Sequence, residues 1–340
     1  MPPVPSRAAT SSPAGAGAKR ADAVFDQLGV VAESAGMQAL LRTVARVASL
    51  RSTFLVTGES GTGKELIARA LHALGTRAAG TFVPINCATL SGEILESELF
   101  GHERGAFTSA DRAKLGLMEI ADNGTLFLDE VSEMGPSCQA KLLRALERRE
   151  FRRVGGTKKI RVDLGVVAAS NVDLEEAVAK GRFRPDLYYR LKVVNLQIPP
   201  LRERREAIPG LTQRFLGAAA GQVGMPRKAL SPRAMACLMR YSWPGNVREL
   251  KNCIESLVVM VERRVIDFED LPVEVRRGQA TELRFPVGVT LEQAEREIIR
   301  KTLESFPTRR EAARVLGIGL RTLYTKLGQM APGSPKKPRA

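Results

Sequence analysis

Gly58-Glu59-Ser60-Gly61-Thr62-Gly63-Lys64-Glu65 follows directly on an apolar run, Thr53–Thr57, and opens a segment, Lys64–Leu74, with apolar residues at helical spacing. Strand, glycine-rich turn and helix in that order constrain the chain more than any other feature. The glycines let backbone N–H groups turn inward around phosphates, and a helix N-terminus and Lys64 add positive potential. Glu65 occupies the position where the general phosphate-binding loop offers a Ser or Thr hydroxyl. An ordinary glycine-rich turn would also fit these eight residues, so the setting has to decide.

The setting is a strand–helix alternation. Thr53–Thr57, Phe82–Ile85, Thr125–Leu128, Val162–Ala168 and Val193–Ile198 read as buried strands, and Lys64–Leu74 and Ser137–Arg148 as helices between them. That pattern predicts an α/β fold, a parallel sheet covered by helices on both faces. Thr125-Leu126-Phe127-Leu128-Asp129-Glu130 is an apolar strand that delivers two carboxylates to the ligand-binding edge of such a sheet. Asp129 is expected to hold Mg²⁺ and Glu130 to orient the attacking water of an ATP hydrolase.

Pro199-Pro200 closes the α/β region, since neither residue continues a central strand. Beyond it Ile208–Ala220, Arg233–Tyr241 and Val247–Glu262 read as helices of a small lid, with Asn246 as the expected cap of the last. The expected organisation is a mobile tail over 1–23, an α/β ATPase subdomain over 24–199 and a helical lid over 200–271. A linker over 272–288, a helical domain over 289–329 and a tail over 330–340 follow.

Charge adds a partner. The 340 residues carry 52 Lys+Arg against 37 Asp+Glu, a net +15, which favours a polyanion, nucleic acid or an anionic membrane surface. Residues 307–340 hold eight Lys/Arg and one acid. Within them Arg309–Leu316, the turn Gly317-Ile318-Gly319 and Leu320–Leu327 form a helix-turn-helix pattern, whose second helix enters the major groove of DNA. Arg321, Thr322, Thr325 and Lys326 are expected to face bases or phosphates. Arg309 and Arg310 are expected to meet the backbone. No run approaches 18 apolar residues, and the N-terminus lacks a signal-peptide core. Four scattered cysteines and two histidines leave no disulfide framework and no zinc site, and point to a reducing cytoplasm.

Over residues 24–328 the chain resembles the bacterial enhancer-binding proteins, AAA+ activators of the sigma-54 RNA polymerase. The resemblance is carried by GESGTGKE at 58–65, PINCATL at 84–90 and ELFGHERGAFTSA at 98–110. ADNGTLFLDE at 121–130, FRPDLYYRL at 183–191 and WPGNVREL at 243–250 complete it. Members similarly carry Glu at the position of Glu65. The resemblance implies roles residue by residue. Asn86 is similar to the partner of Glu130 in a nucleotide-dependent switch. Asn171 is similar to a γ-phosphate sensor, and Arg248 to a lid arginine that contacts nucleotide. Arg184 and Arg190 resemble arginine fingers that reach the neighbouring subunit's site in a hexameric ring. The C-terminal pattern is similar to the Fis type, in which the preceding helix, Leu291–Leu303, dimerises.

Gly105-Ala106-Phe107-Thr108-Ser109-Ala110 resembles the family's GAFTGA loop, which contacts sigma-54, with Ser109 in place of the last glycine. If that position needs positive φ, the exchange costs about 1 kcal/mol. The reading is therefore an activator that binds upstream enhancer DNA and remodels the sigma-54 holoenzyme at the expense of ATP. The 23 residues before the ATPase region are too few for a receiver domain, so control is expected from a separate regulatory protein or from abundance. A DNA-binding repressor that uses nucleotide only for assembly is the alternative. An AAA+ motor such as a helicase loader fits neither the loop nor the helix-turn-helix.

Overall fold

The computed structural model describes residues 13–108, 110–277, 285–286, 288–305 and 308–330. The chain forms two units that part between Asp270 and Leu271. The first begins with α1 (Pro13–Leu28), α2 (Ala35–Val47), β1 (Phe54–Thr57), α3 (Lys64–Leu74), β2 (Phe82–Asn86), α4 (Gly92–Phe100) and α5 (Leu117–Ile120). It continues through β3 (Thr125–Asp129), α6 (Pro136–Arg148), β4 (Glu150–Phe151), β5 (Ile160–Arg161), β6 (Gly165–Ser170), α7 (Leu174–Ala179), α8 (Pro185–Leu191) and β7 (Val194–Gln197). A helical lid follows: α9 (Ala207–Val223), β8 (Ala229–Leu230), α10 (Pro232–Arg240), α11 (Asn246–Met260) and β9 (Val265–Ile266).

Five strands form one sheet in the order β2-β3-β6-β1-β7, every pair parallel. The inner strands β1, β3 and β6 are buried nearly throughout because both faces are covered, while the edge strand β7 alternates, with Asn195 and Gln197 exposed. Phe54, Val56, Phe127, Val167 and Ala169 pack under α1, α2 and α3. Their neighbours Leu55, Leu126, Leu128, Val166 and Ala168 face α4 through α8. The expected α/β sheet is thus present, with one run divided. The segment Val162–Ala168 does not form a single strand: Ile160–Arg161 pairs antiparallel with Glu150–Phe151, and the sheet strand starts at Gly165. Asp163, whose carboxylate takes the Arg77 guanidinium at 2.6 Å, marks the break.

Residues 13–23, expected to be a mobile tail, belong to α1. Ala21, Val24, Phe25 and Leu28 repeat at helical spacing, and that stripe closes over the core beside α3. The composition-based boundary at residue 24 cuts through the stripe and hid it; residues 1–12 lie outside the described part.

In the lid α9 and α11 pack along each other, and Trp243 is wholly buried, its Nε1 donating to the Leu238 carbonyl at 2.8 Å. The second unit contains α12 (Val273–Arg277), within the stretch read as linker, then α13 (Leu291–Ser305), α14 (Arg309–Val315) and α15 (Leu320–Met330). Ile299, Ala312, Ala313 and Leu323 make the core of the last three. Thr308 caps α14: its hydroxyl oxygen accepts from the Glu311 N–H at 3.2 Å. Gly317, at φ 66, turns the chain toward α15. Among the described residues no helix is long and apolar enough to cross a membrane.

Phe25 is 5 % exposed inside the α1–α3 cluster. Phe25→Ala should cost about 3 kcal/mol, read as a lower urea midpoint together with new protease cleavage within α1.

Candidate functional site

The carboxyl ends of β1, β3 and β6 place three groups together. The loop after β1 leads into α3 through Gly63, whose φ of 102 belongs to a glycine, and Lys64 begins the helix. The Lys64 ammonium is buried, donates to the Gly58 carbonyl at 3.0 Å and pairs with Glu130 Oε1 at 3.4 Å. Glu130 follows β3 in the left-handed region, φ 52, which is uncommon for a residue with a side chain. That conformation is where Glu130 Oε2 accepts from the Asn171 N–H, just beyond β6, at 3.1 Å. Strain held at such a place is a mark of function.

Asp129 closes β3, and its Oδ1 accepts from the Glu130 N–H at 3.1 Å. Burial, followed by the charge of Glu130, raises its carboxyl above the usual range. Asn86 sits opposite Asp129 in the β2–β3 register, and its Oδ1 accepts from the Ala88 N–H at 2.9 Å. Glu65 turns along α3, where its Oε1 takes two bonds from Arg69 at 2.9 and 2.7 Å. Lys64, Glu65, Asp129 and Glu130 border a cleft of about 550 Å³, a size suited to a nucleotide, whereas Asn86 and Asn171 lie outside its lining. Its far wall is apolar, with Leu28, Val30, Met37, Ile198, Leu211 and Phe215.

The lid grips the same loop at four consecutive residues. Arg202 donates twice to the Glu59 carboxylate, at 2.8 and 2.7 Å, and Asn246 Nδ2 adds a third bond at 3.1 Å. These bonds hold Glu59 below the usual carboxylate range, Arg202 contributing most. Ser60 is held by Arg248 Nη1 on its hydroxyl, 2.9 Å, and by Asn246 Nδ2 on its carbonyl, 3.0 Å. The Gly61 carbonyl accepts from Val247 and Arg248 N–H at 3.0 and 3.3 Å, satisfying two donors at the start of α11. Arg204 donates to the Thr62 carbonyl at 2.8 Å. It is so enclosed that desolvation brings its pKa down to about 10, and its Nε has no partner among the described residues.

Asn246 therefore does not cap α11 as expected. It is itself the first helical residue, at φ 52, and its Oδ1 accepts from the Leu201 N–H at 2.8 Å. Arg202 and Arg204 carry no role in the sequence reading; the one available signal is the charged run Arg202–Arg205 straight after Pro199-Pro200.

Arg184 and Arg190 stand apart from this cleft. Arg184 forks onto Asp186 at 2.8 and 3.1 Å, and Arg190 donates to the Leu146 carbonyl at 2.9 Å. Both are exposed. The 101–116 loop leaves the body at a pinched neck: a Cβ on Gly116 would stand 2.4 Å from the Phe100 carbonyl carbon. Gly105 carries φ 79, and Phe107 is 39 % exposed with its ring edge on His102, centroids 4.9 Å apart. The Ala110 N–H donates to the Phe107 carbonyl at 2.9 Å, while Ser109 lies outside the described residues.

In the second unit Arg310, Arg321, Thr322 and Thr325 are exposed. Arg309 lies over the Tyr324 ring, 5.2 Å from its centroid, and Lys326 pairs with Glu295. Lys336, Lys337 and Arg339 lie outside the described residues.

Comparison with known proteins assigns each region. Residues 30–197 match the sigma-54 interaction domain, 202–284 the AAA+ ATPase lid domain, and 290–330 the bacterial regulatory protein, Fis family. The transcriptional regulatory protein ZraR of Salmonella typhi is 45% identical over 317 residues, 92% of this chain and 71% of that protein. The Nif-specific regulatory protein of Herbaspirillum seropedicae is 54% identical over 237 residues, 70% of this chain and 44% of that protein. The crystal structure of NtrX from Brucella abortus in complex with ATP superposes with a TM-score of 0.70 at 37% identity, covering 88% of this chain and 69% of that one.

Gly61 carries φ 77, and a Cβ there would lie 2.3 Å from the Gly245 carbonyl oxygen of the lid. Gly61→Ala should weaken ATP binding by about tenfold or more, the scale of a backbone strain of 1–3 kcal/mol. Gly105→Ala, also at positive φ but with nothing within 4 Å of the new Cβ, should leave it unchanged. Titration with a fluorescent ATP analogue checks both.

Proposed function

From its membership of the sigma-54-dependent AAA+ transcriptional activators, the family to which this chain belongs, we propose that its cleft hydrolyses ATP to remodel the sigma-54 holoenzyme at promoters. The chain is a nucleotide-binding AAA+ ATPase with sigma-54 and DNA as partners. The observation that carries the mechanism is the joining of Lys64, Glu130 and the Asn171 N–H at three strand ends, under a lid that grips the phosphate loop.

In this reading the N–H groups of Gly58–Gly63 and the start of α3 receive the β- and γ-phosphates, and Lys64 neutralises them. Arrival of phosphate draws the ammonium from Glu130. The freed carboxylate then orients a water for in-line attack on the γ-phosphorus and accepts its proton, and the bond to the bridging oxygen breaks to leave ADP and inorganic phosphate. Asn86, beside Asp129 in the register, takes up Glu130 in the alternate state, and Asn171 reads the γ-phosphate. Arg248, already on Ser60, follows the phosphates from the lid.

Asp129 fits a magnesium ion: its carboxyl is raised by burial and by a second carboxylate, and a cation there would relieve both. When bound, Mg²⁺ neutralises charge on the β- and γ-phosphates.

Arg184 and Arg190 lie exposed and outside their own chain's cleft, which supports their acting on a neighbour's nucleotide in a hexameric ring. Such a cation in trans raises the rate by about 10³–10⁵ in related hydrolases. The exposed ring of Phe107 and the hydroxyl of Thr108 are the contact offered to sigma-54. The exposed Arg310, Arg321, Thr322 and Thr325 face enhancer DNA.

Glu130→Gln should reduce turnover by about 10²-fold or more without weakening ATP binding; equal loss of both would remove Glu130 from the chemistry. ATPase per subunit should rise with protein concentration, and a flat profile from nanomolar to micromolar would remove the ring. With ADP and aluminium fluoride the protein should hold sigma-54 in a native gel, and Phe107→Ala should abolish that complex without changing nucleotide affinity.

A further inference from the structure

Between α6 and the β4–β5 segment runs a groove of about 420 Å³ that the ATPase cycle does not use. Six cations line it, Lys141, Arg144, Arg148, Arg152, Arg153 and Lys159, against one carboxylate, Glu150. Three of the six are spoken for. Lys141 pairs with Glu96, and Lys159 with Glu150 at 2.7 Å. Arg153 is committed to Glu119 and Glu103 at 2.9 and 3.1 Å. The single acid is shared further, with Arg161 at 3.9 Å. Arg144, Arg148 and Arg152 are exposed and make no hydrogen bond or close ion pair among the described residues.

Such a set is costly to keep for folding alone. Arg144 and Arg148 stand at i and i+4 on one helix face, where like charges repel. Their guanidiniums are the planar forks that take a phosphate through two bonds at once. One turn of helix separates the two by about 6 Å, comparable with successive phosphates along one nucleic-acid strand. The groove offers no apolar anchor: Phe100 and Phe151 beneath it are 1 % and 7 % exposed, and no exposed large hydrophobic residue lines it. A protein partner's interface is built on such anchors, whereas an interface with DNA phosphates is polar and strongly positive.

The groove also has a place in the remodelling apparatus. Arg153 and Gly155 form its rim, and both hold the 101–116 loop: Arg153 through Glu103, and Gly155 by an approach so close that a Cβ would stand 2.8 Å from Ala106 Cβ.

We propose that this groove is a second duplex-DNA contact, separate from the helix-turn-helix, in which Arg144, Arg148 and Arg152 bind the phosphates of one strand beside the loop that meets sigma-54. It reads no sequence, so its contribution is electrostatic and salt-dependent. Each phosphate contact contributes about 0.9 to the slope of log affinity against log salt.

The test uses the full chain carrying Arg321→Ala and Lys326→Ala, so that the helix-turn-helix is weakened, and a 30-base-pair duplex of arbitrary sequence. Adding Arg144→Gln, Arg148→Gln and Arg152→Gln should flatten the salt slope by about two to three, with ATPase activity unchanged. The three Arg→Lys exchanges, which keep the charge, should restore most of the slope and show that the loss is not unfolding. A slope that does not move on Arg→Gln overturns the proposal. So does unchanged DNA binding with lost capture of sigma-54 in ADP and aluminium fluoride, since that would give the groove to an acidic protein segment.

Discussion

A buried ammonium organises this molecule. Lys64 cannot be taken out of water without acceptors, and it finds them in the Gly58 carbonyl and the Glu130 carboxylate. Those two groups belong to different strands with β6 between them, so the pairing requires the β3-β6-β1 order and its parallel register. The register in turn rests on strands apolar on both faces, each of which needs a helical layer. In the proposed cycle the same pair supplies a switch: a polyphosphate competes with Glu130 for one ammonium, so nucleotide binding would also release a carboxylate.

The lid is coupled to that event by backbone as much as by side chains. An α-helix begins with unpaired N–H groups, and α11 meets two of them with the carbonyl of Gly61. Any shift of the loop on phosphate binding therefore displaces the start of the helix. Asn246 and Arg202 converge on Glu59, an anion inside a loop built for anions. The positive charges around it tie Glu59 to the lid and limit its repulsion of phosphate. Arg204 adds an enclosed guanidinium on the Thr62 carbonyl, costly in desolvation and so dependent on the lid staying closed over it.

What could be read from sequence follows the range of each interaction. The phosphate loop and Asp129-Glu130 are local: a run of glycines and a strand ending in two acids carry their own geometry, and the five-stranded α/β sheet follows from apolar strands alternating with helices. The helix-turn-helix was legible for the same reason, since its core residues lie within one short stretch. α1 was hidden because Ala21 and Phe25 declare themselves only against α3, in a stretch whose composition resembles a tail. Asn246 was misread because a cap is the local role of an asparagine before a helix. Its bonds to Leu201, Glu59 and Ser60 span between 45 and 187 positions of the chain, beyond any local pattern.

Charge shows the same division. The net +15 is a property of the whole chain and names a polyanion without placing it. The basic C-terminal stretch is contiguous and legible in the sequence, whereas the Arg144, Arg148 and Arg152 cluster is assembled by α6 turning into β4. In sequence those three are spread among Glu147, Glu150, Arg149 and Arg153, and they read as a mixed, solvated face. Folding sorts them. Glu150 takes Lys159, Arg153 takes Glu119 and Glu103, Arg149 takes Asp163, and the remainder is a positive groove beside the 101–116 loop. With Glu150 taken by Lys159 and Glu147 in no ion pair among the described residues, those three guanidiniums are left for an anion from outside the chain.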